Sequence, residues 1–123
     1  MRNLFVKESF VSHAGMELTW KIECDALTDE DLETLAGLVG GRFHFGKVVG
    51  VPRGGLAFAE KLQKYTSKNS SVVLIVDDVF TTGMSMEEVR TQHPNAVGVV
   101  IFSRGCCPDW VSPIFQLNST YVG

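Results

Sequence analysis

The chain has 123 residues, 45% of them apolar and 20% charged, with 11 basic and 14 acidic side chains and a net charge of −3. That length fits one domain with a real core, residues 1–123, and the mild acidity gives no general reason to expect nucleic acid or an anionic membrane as partner. No apolar run approaches the ~20 residues needed to span a bilayer, and Met1–Glu8 lacks the apolar stretch of a signal peptide, so the cytoplasm is the expected location.

Residues 4 to 24 read as strand. Phe5, Val6, Phe10 and Val11 come first, His13-Ala14-Gly15-Met16 suits a turn, and Leu18, Trp20 and Ile22 alternate with Thr19, Lys21 and Glu23. A period of two predicts an antiparallel hairpin with one covered face, a small hood over the main sheet spanning about residues 1–26. Thr28-Asp29-Glu30-Asp31 is a capping signal with an acidic first turn. Leu32, Leu35, Ala36 and Val39 then recur at helical spacing, and Gly40-Gly41 is the expected stop.

Lys47–Val51 is a short apolar strand, followed by the turn Pro52-Arg53-Gly54-Gly55. Phe58, Ala59, Leu62 and Tyr65 carry the next helix, and Thr66 to Ser71 is a polar loop. Val72–Val76 is an unbroken apolar run, the pattern of a strand buried on both faces of a parallel sheet. It is expected to end at Asp77-Asp78. Thr81-Thr82-Gly83 reads as a turn, and Ser85-Met86-Glu87-Glu88 fits a capping box, so a helix is expected from Ser85. Strand, helix, strand make a right-handed β-α-β unit. Ala96–Phe102 is a third apolar strand, Ser103-Arg104-Gly105 breaks it, and a final short strand fits Ile114–Leu117. The expected class is α/β: a parallel sheet flanked by helices, with the hairpin hood.

Two adjacent carboxylates at the end of a buried strand are poorly placed for stability, since each loses solvation and they repel. A cation or several hydroxyl donors would suit them, as in a sugar with neighbouring hydroxyls and Mg²⁺. The plainer alternative is a solvent-facing pair. Thr81-Thr82-Gly83-Met84-Ser85 converges backbone N–H groups and hydroxyls, as an anion cradle does. Placed directly after Asp77-Asp78, that reading outweighs an ordinary helix-start turn. Pro52, Arg53, Gly54 and Gly55 end the neighbouring strand and offer a backbone turn with a cation, suited to a more negative group such as pyrophosphate. No G-x-x-x-x-G-K-[ST] loop and no G-x-G-x-x-G fingerprint occurs in the chain.

The remaining candidates are plainer. Cys24, Cys106 and Cys107 form an odd set with a vicinal pair, which suits a reducing compartment, and metal-binding cysteines are usually spaced apart. His13, His44 and His93 are scattered. Trp20 and Trp110 read as core or lid aromatics.

Val72 to Ser85, with its apolar strand, two acids, hydrophobic pair and Thr/Gly loop, resembles the phosphoribosyl-pyrophosphate (PRPP) motif of type I phosphoribosyltransferases. Val49–Leu56 is similar to that family's pyrophosphate loop, Ala96–Gly105 to its next core strand. Ser12–Gly15 with Thr19–Glu23 looks faintly like the hood of orotate phosphoribosyltransferases. The resemblance implies that Asp77 and Asp78 hold the ribose hydroxyls and favour the positive charge of the transition state. It implies that Thr81–Ser85 cradle the 5′-phosphate and that Pro52, Arg53, Gly54 and Gly55 meet pyrophosphate, with Mg²⁺ carried by the ligand near Asp77 and Asp78. It also implies a homodimer, with PRPP, a nucleobase or a nucleotide as small-molecule partners.

Two departures bear on turnover more than on binding. Family enzymes insert a strand pair and a long mobile catalytic loop before the motif strand, where this chain has Thr66–Ser71. The orotate-type hood carries a lysine where Met16 aligns. Two functions from different classes therefore remain: a minimal transferase that moves phosphoribosyl to a nucleobase-like acceptor, or a non-catalytic PRPP-binding or nucleotide-binding regulatory module. A remnant kept for subunit assembly is a third.

Overall fold

The computed structural model describes residues 24–117, and before them the backbone of four two-residue strands. Those strands are β1 (Phe5–Val6), β2 (Phe10–Val11), β3 (Glu17–Leu18) and β4 (Lys21–Ile22). β1 pairs antiparallel with β4 and β2 with β3, so the expected hairpin is present in its backbone pairing. Its turn around His13–Met16, with Ser12, Thr19 and Trp20, lies outside the described residues.

A 3₁₀ turn at Cys24–Ala26 leads to α1, Asp29–Arg42. Thr28 caps it reciprocally: its side chain accepts from the Asp31 N–H at 3.1 Å, and its own N–H donates to Asp31 Oδ2 at 2.9 Å. The helix does not stop at Gly40-Gly41 but runs through both to Arg42, with Phe43 as its C-cap. The reason is packing. A Cβ on Gly40 would sit 2.5 Å from the Tyr65 ring and one on Gly37 3.6 Å from its hydroxyl, so the small residues make a seat for Tyr65. By contrast, a Cβ on Gly41 would meet nothing within 4 Å.

β5 (Lys47–Gly50), α2 (Gly55–Leu62) and β6 (Val73–Phe80) form the β-α-β unit, and only a 3₁₀ turn at Gln63–Tyr65 and residues 66–72 separate α2 from β6. α3 (Met84–Arg90) follows, then β7 (Val97–Arg104) and β8 (Val111–Leu117). The sheet order is β5-β6-β7-β8, all parallel. Along β6, Leu74 and Val76 pack with α1 and α2, while Ile75 packs with α3. Val99 and Ile101 of β7 share the first core, and Val100 the second. Both faces of the central strands are thus covered, as a parallel sheet requires.

The third and fourth strands are longer than expected: β7 continues through Ser103 and Arg104, and β8 starts three residues earlier than Ile114. Gly105 ends β7 with φ 86°. Only six residues return the chain to the start of β8. From the level of Arg104 to that of Gly98 is roughly 20 Å, too far for six residues to cover as a helix rising about 1.5 Å per residue. No helix fits there. Pro113 sits on β8, an edge strand, where a missing N–H is tolerated. Among the described residues, no helix is long and apolar enough to cross a membrane.

Candidate functional site

The acid pair does not terminate β6. The strand runs on to Phe80, with Asp77 level with Val100 and Phe80 level with Ser103 of β7. Ladder pairing uses the backbone, so polar side chains do not end it. The consequence is burial: Asp77 is only 9% exposed. The Asp78 N–H donates to Asp77 Oδ1 at 2.8 Å, and the Val79 N–H donates to Asp78 Oδ1 at 2.7 Å.

Burial pushes the Asp77 carboxyl from 3.8 up to about 8, helped by the adjoining Asp78 carboxylate. At pH 7 Asp77 therefore keeps its proton. A neutral carboxyl beside a second carboxyl group presents a hydrogen-bond donor as well as acceptors within one short stretch.

The turn at residues 52–54 lies against this pair. A Cβ on Gly54 would fall 2.2 Å from Asp78 Oδ2, and one on Gly55 would fall 2.4 Å from the Val76 carbonyl oxygen. Only glycines let the backbone approach so closely. The Pro52–Arg53 peptide is cis. Gly55 N–H donates to Val51 O at 2.9 Å, which starts α2. Pro52, Arg53 and Gly54 are exposed, and Gly55 is buried. Sequence-distant residues 52–55 and 77–78 thus meet at one place.

After Phe80 the chain turns through Thr81 and Thr82, both exposed, to Gly83. Gly83 is the N-cap of α3, at φ 80° and ψ 2°, and no side chain caps the helix. The expected cap at Ser85 is therefore corrected: Ser85 lies inside the first turn. The left-handed backbone at Gly83 starts the helix two residues earlier, and the Glu87 N–H donates to Gly83 O at 2.9 Å. Gly83 also rests on the Phe80 ring, which a Cβ would meet at 2.7 Å. Among the described residues, the Thr81, Thr82 and Ser85 hydroxyls have no partner. Met84 is 68% exposed.

One group of residues near this turn was not singled out from the sequence. Trp110 Nε1 donates to Glu87 Oε1 at 2.9 Å, and the Arg90 guanidinium lies 4.6 Å from the Trp110 ring centroid. Met86, also on α3, is buried in the core cluster that Trp110 packs against. Helix spacing puts Glu87 and Arg90 on one face, but only the fold brings Trp110 there.

The cysteines stay plain. Cys107 Sγ donates to Ser103 Oγ at 3.1 Å and packs on the α3 side, whereas Cys106 is exposed and faces Gln116 at 4.0 Å. Among the described residues no group of three or more His, Cys, Asp or Glu is placed to hold a metal. With Asp77 neutral at pH 7, Asp78 is the one of the pair that could face a Mg²⁺ arriving on a ligand's phosphates, an ion that keeps waters and phosphate oxygens and needs few protein carboxylates.

A four-stranded parallel sheet, helices on both faces, and an acid pair on β6 beside a glycine turn define a phosphoribosyltransferase-like fold. Solved structures agree. Orotate phosphoribosyltransferase from Aeropyrum pernix matches with a TM-score of 0.70 at 21% identity, over 92% of this chain and 88% of that one. UMP synthase from Leishmania donovani matches at 0.71 and 15%, over 93% of this chain and 34% of that one. A phosphoribosyltransferase from Corynebacterium diphtheriae matches at 0.60 and 12%, over 89% of each. No family model matches the chain, and no curated protein sequence does. At these identities the likeness is one of fold.

Proposed function

We propose that the chain binds PRPP or a nucleoside 5′-monophosphate and transfers phosphoribosyl to a nucleobase-like acceptor with release of pyrophosphate. The observation that carries this is the meeting of Asp77 and Asp78 with the Gly54 backbone, with the uncapped Gly83 turn following the same strand. In this reading the acid pair takes the ribose hydroxyls, donating and accepting. Thr81, Thr82, Gly83, Met84 and Ser85 surround the 5′-phosphate. Pro52, Arg53, Gly54 and Gly55 meet the pyrophosphate, with Arg53 supplying positive charge. Mg²⁺ on that pyrophosphate, near Asp77 and Asp78, would neutralise the leaving group.

The transfer breaks the bond from C1 of ribose to a pyrophosphate oxygen, and pyrophosphate leaves with the electron pair. A ring nitrogen of the acceptor forms the new bond to C1 and loses its proton to solvent. Positive charge develops on the ribose ring meanwhile, and negative charge at the acid pair favours it.

One specific observation favours the second reading, a PRPP-binding module without turnover. The seven residues 66–72 between the 3₁₀ turn and β6 leave no room for a mobile loop that would close over the ligand. Calorimetric titration of PRPP with Mg²⁺, then a pyrophosphate-release assay across a nucleobase panel, separates the two. Binding with release supports the transferase, and binding without release supports the module. No binding refutes both. The Asp77→Asn, Asp78→Asn double variant should lose binding while its circular dichroism is unchanged; retained affinity would place the site elsewhere. The homodimer belongs to the same proposal, and sedimentation checks it.

A further inference from the structure

A cavity lies between the last turn of α1 and the edge strand β8. It has a volume of about 330 Å³ and is lined by Leu38, Arg42 and Phe43 at the end of α1, by Val99, and by Ser112 and Phe115 of β8, among others. It shares no residue with the turn, the acid pair or the Gly83 loop. β8 stands two strands from β6, roughly 10 Å away.

The cavity exists because of the short return from β7 to β8. Strands of a parallel sheet are ordinarily covered on both faces by their crossover helices. Here the return has six residues and no helix, and its Cys107 and Trp110 pack on the α3 side. On the α1 side, among the described residues, β8 has the last turns of α1 beside it. Leu38 remains 49% exposed and Phe115 47%.

The lining is apolar and aromatic with few polar groups, the make-up of a small-molecule site, and the volume is at the lower end for one. The polar groups are the Ser112 hydroxyl and the Arg42 guanidinium. Among the described residues, Arg42 has no carboxylate or hydrogen-bond partner. A single planar guanidinium suits one carboxylate, which it can grip with two parallel bonds; a phosphate dianion ordinarily recruits more than one cation. Phe115 also stacks on Phe102, ring centroids 5.4 Å apart, which leaves a firm aromatic wall.

We infer that this cavity is a binding site for a small monocarboxylate with an aromatic or branched apolar body, the body against Phe43, Val99 and Phe115 and the carboxylate on Arg42. The site is separate from the proposed phosphoribosyl site and does not depend on it.

The test uses 3-phenylpropionate and its neutral amide, 3-phenylpropanamide, as probes of one shape. Amide chemical shifts of the whole protein are followed by NMR. Saturable shifts at Leu38, Phe43 and Phe115 are expected with the carboxylate, and at least tenfold weaker binding with the amide. Arg42→Gln, at an exposed position, should erase the difference between the probes. Ser112→Phe, also exposed, should fill the mouth and abolish both. Absence of saturable shifts overturns the inference, as does equal binding of the two probes by the unaltered protein. Sedimentation is the last arm: a dimer that Phe115→Asp dissociates would mean that a second copy covers this face, which also overturns it.

Discussion

Replacing Asp77 with Asn should flatten the pH dependence of stability. Between 3.8 and about 8, the folded protein holds a proton on Asp77 that the unfolded chain has released. Stability therefore falls as pH rises through that window and levels off above it. At 1.36 kcal/mol per pH unit, the span corresponds to up to about 6 kcal/mol; water entry around a buried charge lowers what is realised. A domain of this size has only roughly 5–15 kcal/mol in total. With a urea slope of about 2 kcal/mol per molar, the midpoint should drop by up to roughly 2 M between pH 4 and pH 8. Asn cannot ionise, so Asp77→Asn should hold its midpoint across the same range. Urea titrations followed by circular dichroism at each pH give both curves, and their difference cancels the groups common to the two proteins. The exposed Glu33–Lys64 pair acts elsewhere. Lys64 lowers the Glu33 carboxyl below 4.5, a contribution lost only in acid, and Glu33 raises Lys64 above 10.5, a contribution lost only in strong alkali. A wild-type midpoint that stays level from pH 5 to 8, or an unchanged slope in Asp77→Asn, would refute the reasoning.

Further substitutions probe other contacts. Gly54→Ala should weaken PRPP binding at least tenfold in calorimetry, because its methyl would sit 2.2 Å from Asp78 Oδ2 and push the turn away. Gly40→Ala should destabilise by about 1–3 kcal/mol through its clash with Tyr65, whereas Gly41→Ala, with open space around it, should stabilise by about 0.5–1 kcal/mol. Urea midpoints decide between them, and Tyr65→Ala should abolish the penalty at position 40. Trp110→Phe keeps a ring under Arg90 but removes the hydrogen bond to Glu87, so a loss of about 1 kcal/mol is expected. Hydrogen exchange should quicken at the amides of α3 first.

Much of this architecture was legible in the residues. The apolar runs at Val48–Val51, Val72–Val76 and Ala96–Phe102 mark β5, β6 and β7, and the Thr28 capping box marks α1 to the residue. The errors fall at ends, where local pattern competes with distant contact. Gly40-Gly41 looks like a stop until Tyr65 is known to rest on it. Ser85-x-x-Glu88 matches a capping box, yet Gly83 takes the left-handed conformation and starts α3 first. Asp77 looks like a strand end because its side chain is polar, while its backbone pairs onward beside Val100. The acid pair and both loops were legible as candidates, but the Asp77 proton was not, since it follows from burial. Nor were the Trp110 clamp and the cavity beside β8, which arise from a six-residue connection whose path no local pattern describes.

That connection also bears on the order in which the chain assembles. Gly98 faces Val111, thirteen residues on, whereas Leu74 faces Val97 and Lys47 faces Val73 across about twice that separation. Closing the longer loops costs about 0.6 kcal/mol more each, and the β7–β8 pair carries with it the Trp110 that grips α3. Residues 84–117 are then expected to form the early nucleus, with high φ-values at Val99 and Val111 and low ones at Val48. β6 would dock onto a half-sheet already made, so the unfavourable burial of the Asp77 carboxyl is deferred to a late step, as β5 and the glycine turn close beside it.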